Sequence, residues 1–201
     1  TLVKEIVSRF KNHRRVFAWE LGNELKAQDQ QRNPLPGVFI AFARDVAREI
    51  RALDPNHLIT TGIINTGNLG LDWQVETAKQ LYGDKNIDFL TVHVYPDDAN
   101  SPEIPRADRE ADLARAVGKP LVIEEIGFSR ADRAAKMRAA MDKWFQQQGA
   151  KGLMQWGFVA LGHNNGDGDD RNGMDHFSTQ HPRDFQALAQ AFLERAQALA
   201  V

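Results

Sequence analysis

The chain has 201 residues, 42% hydrophobic and 26% charged, the profile of a globular protein long enough to bury a sizeable core. Its 25 basic and 27 acidic residues leave a formal charge of −2, which favours neither nucleic acid nor an acidic membrane surface as a partner. There is no cysteine, which excludes disulfides, thiolate zinc sites and cysteine nucleophiles, and no apolar run approaches the ~18 residues of a membrane span.

Thr1 opens the chain without a basic-plus-apolar leader, so a processed or excised polypeptide is expected. Leu2, Val3, Ile6, Val7 and Phe10 recur at helical spacing and predict a helix over 1–11. Val16 to Trp19 reads as a short strand ending at Gly22-Asn23-Glu24. Pro34 and Pro36 punctuate a loop, and a helix from Gly37 turns Val38, Phe42, Val46, Ile50 and Leu53 inward. Asp54-Pro55-Asn56 stops it, and His57 to Thr61 is the next strand. A Gly- and Asn-rich loop fills 62–72, and a weak helix covers 74–82. Ile87 to His93 is the third strand, 105–117 a charged helix, and Leu121 to Glu125 the fourth strand. Met137, Met141, Trp144 and Phe145 stripe another helix, and Gly152 to Trp156 forms the fifth strand. A Gly/Asn/Asp loop covers 162–175, and Phe185, Leu188, Phe192, Ala196 and Leu199 mark a closing helix.

Short apolar strands alternating with amphipathic helices imply parallel strands joined by right-handed crossovers. The order α-β-α-β-α-β-α-β-α-β-α fits an open doubly wound sheet or a (β/α) barrel. No GxGxxG or GxxxxGK[ST] follows any strand, which disfavours a nucleotide-binding sheet. Four strands instead end in chemistry-bearing residues: Asn23-Glu24, His93 with Tyr95, Glu125, and Trp156. Functional groups at the C-terminal ends of several strands are the habit of the barrel. Three βα units separate Glu24 from Glu125 at about 34 residues per unit, near the usual ~30. Strands three places apart in an eight-stranded barrel face each other across its mouth. Two carboxyls ~5–5.5 Å apart there suit retaining glycoside hydrolysis, one donating a proton and the other attacking the anomeric carbon.

Trp19-Glu20-Leu21-Gly22-Asn23-Glu24 resembles the Trp-x-x-x-Asn-Glu strand of retaining glycoside hydrolases with (β/α)₈ barrels, most closely glycoside hydrolase family 5, the cellulase and β-mannanase family. Lys119 to Gly127 is similar to the family's nucleophile strand. His93-Val94-Tyr95 matches its His-x-Tyr, and Trp156 its platform tryptophan. The resemblance implies Glu24 as general acid/base and Glu125 as nucleophile. It also implies Asn23 on the sugar 2-hydroxyl, Tyr95 orienting the nucleophile, His93 lining the pocket and Trp156 under the sugar ring. Strand alternation sets Glu124 on the face opposite Glu125. Trp19 is expected to pack within the barrel and Glu20 to sit in a buried ion pair.

The implied fold is α/β, a partial barrel of five parallel strands and six helices forming one domain over 1–201, with the first three βα units absent. The implied activity is retaining hydrolysis of a β-linked polysaccharide (β-glucan or mannan), at a secreted or periplasmic location, without cofactor or metal. The acidic run Gly166 to Asp170 lacks the twelve-residue calcium pattern. Five strands leave two open sheet edges, so a homo-oligomer or a missing N-terminal half-barrel is expected to shield them. The alternative is an inactive, glycan-binding barrel remnant that assembles as an oligomer.

Overall fold

Helix and strand alternate in the expected order in the computed structural model, which describes residues 2–71, 74–96, 103–128, 132–156 and 182–199. The helices are α1 (Leu2–Phe10), α2 (Pro36–Leu53), α3 (Val75–Tyr82), α4 (Glu103–Val117), α5 (Arg133–Met141) and α6 (Pro182–Leu199). The strands are β1 (Ala18–Glu20), β2 (Leu58–Thr60), β3 (Leu90–Val94), β4 (Leu121–Ile126) and β5 (Gly152–Gln155). Two further elements are a 3₁₀ turn at Thr66–Leu69, inside the expected loop, and a π-helical stretch at Asp142–Gln147 that continues α5 and carries Trp144 and Phe145 of the expected stripe. The loop expected over 162–175 and its acidic run lie outside the described residues. No helix among the described residues is long and apolar enough to cross a membrane.

The chain divides into two compact units, one of residues 1–92 and 106–122, the other of 93–105 and 123–201. β3 and β4 contribute residues to both. The strands lie in two sheets, β1-β2 and β3-β4-β5, rather than in one run of five. β1 pairs with β2 in parallel, with Ala18 opposite Leu58 and Glu20 opposite Thr60. Where a β2-β3 ladder would continue, side chains take over part of the bonding. Asp88 Oδ2 accepts the Ile59 N–H at 2.7 Å, the Asp88 N–H reaches Ile59 O at 2.8 Å, and the Thr60 hydroxyl donates to Phe89 O at 3.1 Å. The seam is held, but without the regular ladder that makes one sheet.

In the first unit, α2 buries a face rotated from the expected one. Phe39, Ile40, Ala43, Ala47 and Ile50 are buried, while Val38 and Phe42 are 59% and 43% exposed. Ala43 and Ala47 lie on that buried face, where a small side chain admits close approach, and α1 and α3 both pack against α2. Of the apolar stripe of α1, Val7 is buried and Leu2, Ile6 and Phe10 are exposed. The loop after β2 is packed rather than open. Ile63, Asn65, Thr66, Leu69 and Leu71 are buried, and the Asn65 side chain caps the 3₁₀ turn at the Asn68 N–H, 3.0 Å away.

In the second unit, Met137, Met141 and Trp144 are buried, as their helical stripe predicts. α5 packs against α6, and Arg138 on α5 pairs with Glu194 on α6 at 3.1 Å.

Candidate active site

The first unit presents Asn23 and Glu24. The β1-β2 pairing continues past the strands, because the Leu21 N–H donates to Thr60 O at 3.1 Å and the Glu24 N–H to Gly62 O at 2.7 Å. That last bond holds Glu24 at a left-handed φ of 54°, which costs a non-glycine residue of order 1 kcal/mol or more. Asn23 and Glu24 are both exposed just beyond the C-terminal end of β1. Gly62 makes this approach possible. It has a φ of 67°, and a Cβ there would run into the Glu20 carboxylate and lie 2.5 Å from Gly22 O. The sequence reading missed Gly62 as a positioning residue, and its signal was only a glycine two residues past an apolar strand.

Behind β1, Trp19 does pack inward, but with a polar handle. Its indole N–H donates to Asp54 Oδ2 at 2.8 Å, and its ring meets His57 edge-on at 6.1 Å. Asp54 is fully buried at the end of α2 and also accepts the N–H groups of Asn56 and His57, with the His57 ring at 2.6 Å. Burial acts to raise the Asp54 pKa, and these donors outweigh it and bring it to about 2. Glu20 is exposed rather than in the buried setting expected of it. Only one face of so short an edge strand is covered.

The second unit presents the other four residues. His93 is the fourth residue of β3, 1% exposed, and Tyr95 follows the strand, half-buried. Glu125 is the fifth residue of β4 and buried. The Tyr95 hydroxyl donates to Glu125 Oε2, and His93 Nδ1 lies 3.4 Å from the same oxygen. Backbone bonds set the strand ends level. The Gly127 N–H donates to Val94 O at 3.3 Å and the Trp156 N–H to Ile126 O at 2.9 Å. Trp156, just after β5, is 50% exposed. Strand alternation does not keep Glu124 apart from this group. Its Oε2 lies 3.6 Å from His93 Nε2, because two methylenes let both glutamates reach one imidazole.

The Tyr95 hydroxyl and the His93 ring thus both lie against one oxygen of Glu125, Oε2.

A family model described as GH family 5 beta-mannosidase-like matches residues 4–101. Mannan endo-1,4-beta-mannosidase A of Podospora anserina is 34% identical over 139 residues, 63% of this chain and 35% of the relative. The endo-beta-1,4-mannanase of Thermotoga petrophila superposes with a TM-score of 0.64 at 24% identity, over 94% of this chain and 49% of that one. The endo-1,4-beta-mannanase of Rhizomucor miehei gives 0.66 at 17% identity, over 94% and 60%. The two structures share the fold of this chain. The chain spans about a third of the length of the curated relatives it matches.

Proposed function

We propose, taking the chain's kinship with glycoside hydrolase family 5 as the premise, that it supplies the catalytic carboxylates of a retaining hydrolase of β-linked polysaccharide, with mannan preferred over glucan. The names of its relatives support mannan. The observation that carries the reading is Glu125, buried at the end of β4 with the Tyr95 hydroxyl and the His93 imidazole on one oxygen. In this reading the five strands are the fourth to eighth βα units of a (β/α)₈ barrel, and 1–201 is one domain of it. Glu125 attacks the anomeric carbon and expels the leaving oxygen, which takes its proton from Glu24. Glu24 then draws a proton from water as the water oxygen attacks the anomeric carbon and the bond to Glu125 breaks, which releases the sugar with its configuration retained. Asn23 hydrogen-bonds the 2-hydroxyl, and Trp156 stacks under a ring.

Azide separates the two roles. On an activated aryl β-mannoside, Glu24→Ala is expected to slow deglycosylation, and azide to restore turnover with β-glycosyl azide as product. Glu125→Ala is expected to abolish turnover, and azide to yield no retained product. The reverse pattern overturns the assignment. Tight binding of mannan without turnover on any β-mannan, β-glucan or aryl glycoside favours a glycan-binding remnant instead.

The second reading, that another polypeptide segment or a second copy covers the first unit, has its own support. Leu2, Ile6 and Phe10 of α1, Val38 and Phe42 of α2, and Phe17 before β1 are all exposed. Apolar surface of this kind marks a contact.

A further inference from the structure

The residue before the proposed nucleophile has no part in the reaction described above, yet it faces the same imidazole. Glu124 Oε2 is buried 3.6 Å from His93 Nε2, within ion-pair range but longer than a hydrogen bond, and neither atom makes a hydrogen bond among the described residues. The other ring nitrogen, Nδ1, lies 3.4 Å from Glu125 Oε2. Both carboxylates come from β4, and the two side chains are only 11% and 10% exposed.

A neutral imidazole has one N–H and one lone pair. With a carboxylate oxygen at each nitrogen, either neutral tautomer points its lone pair at a negative oxygen. In a site this dry that repulsion is weakly screened. The doubly protonated ring is the one form that turns an N–H toward both carboxylates.

We propose that Glu124 is a positioning residue that acts through His93. It holds the ring as an imidazolium, and the Nδ1–H of that cation, beside the Tyr95 hydroxyl, fixes and partly neutralises Glu125. This rests on the nucleophile assignment above for its kinetic consequence, but the protonation of His93 does not. Glu124→Gln keeps the size of the side chain and removes its charge. The Gln amide then donates to the Nε2 lone pair and leaves a neutral ring protonated on Nδ1 alone. Glu124→Asp keeps the charge.

The test is ¹⁵N spectroscopy of the histidine side chains at pH 7 in the intact protein, with the His93 signals assigned through His93→Gln. Two protonated ring nitrogens are expected in the unsubstituted protein and in Glu124→Asp, and one in Glu124→Gln. With mannan, Glu124→Gln is expected to lower kcat about tenfold with KM changed less than twofold, and Glu124→Asp to recover most of kcat. A single protonated nitrogen in the unsubstituted protein overturns the proposal, and that measurement needs no variant beyond the assignment. An identical ring pattern in Glu124→Gln overturns it too. A protein without glycosidase activity in which the ring behaves as expected sinks the functional reading and leaves this inference standing.

Discussion

Trp19, Asp54 and His57 show how much of the first carboxylate's support lies one layer behind it. Asp54 is a buried anion kept charged by donors from three neighbours, and Trp19 ties it to the strand that carries Asn23 and Glu24. Its pKa in the folded chain, about 2, lies below the ~3.9 of an unfolded aspartate. The stabilisation is therefore complete above about pH 4 and is lost as pH falls from there through 2. Trp19→Phe removes the indole donor and leaves a buried carboxylate short of one bond. It is expected to cost about 1–3 kcal/mol at pH 7, read from urea unfolding. Asp54→Asn is expected to flatten the acid limb of the stability profile. An acid limb equally steep in Asp54→Asn would show that other carboxylates set it. Lys119 is the converse case. Burial lowers its pKa, and the charges of Asp88 and Asp84 oppose that shift while its Nζ donates to Asp84 O at 2.7 Å.

At the scale of elements, the segment after β2 is the one whose character changed most between expectation and structure. A run of Gly and Asn reads as an open loop, but α4 reaches over to fasten it. Glu110, fully buried on α4, accepts the Thr66 N–H, and the Thr66 hydroxyl donates to its other oxygen at 2.8 Å. Glu110 and Thr66 are 44 residues apart, so no local pattern announces the pair. Glu110→Ala strands two buried donors and is expected to cost about 3 kcal/mol, with Glu110→Gln losing less than half of that. Both are read as shifts in the urea midpoint at constant slope. If the two variants are equally destabilised, the charge of Glu110 rather than an acceptor oxygen is what holds the turn. Gly70 ends the same turn in a left-handed conformation, where a Cβ would press on Pro34 at 2.8 Å.

At the scale of the molecule, the first unit carries more apolar surface than its own helices cover. Leu2 is 71% exposed, and the exposed Phe17 lies 6.0 Å from Phe89 between ring centres. Burying such side chains is worth about 25 cal/mol per Å², which salt does not screen. The isolated 201-residue chain is therefore expected to self-associate, to stay associated in 1 M NaCl, and to shift toward monomer in Ile6→Ser/Phe42→Ser, measured by light scattering. A chain that remains monomeric at high concentration without those changes would refute the expectation.

Periodicity alone determined the alternation of helix and strand, because burial of one face writes a 3.6 or near-continuous apolar rhythm into each segment. The motif residues Asn23, Glu24, His93, Tyr95, Glu125 and Trp156 stand out in the sequence because each lies at or shortly beyond the C-terminal end of an apolar strand. Tertiary structure alone decided which face of α2 is buried, the one with Ala43 and Ala47 rather than the one with Val38 and Phe42. It also decided that Gly62 must be glycine, that Glu110 fastens the turn after β2, and that Glu124 shares an imidazole with Glu125. Each of these depends on atoms brought within a few ångströms by residues distant in sequence, and a chain read one window at a time carries no record of that distance.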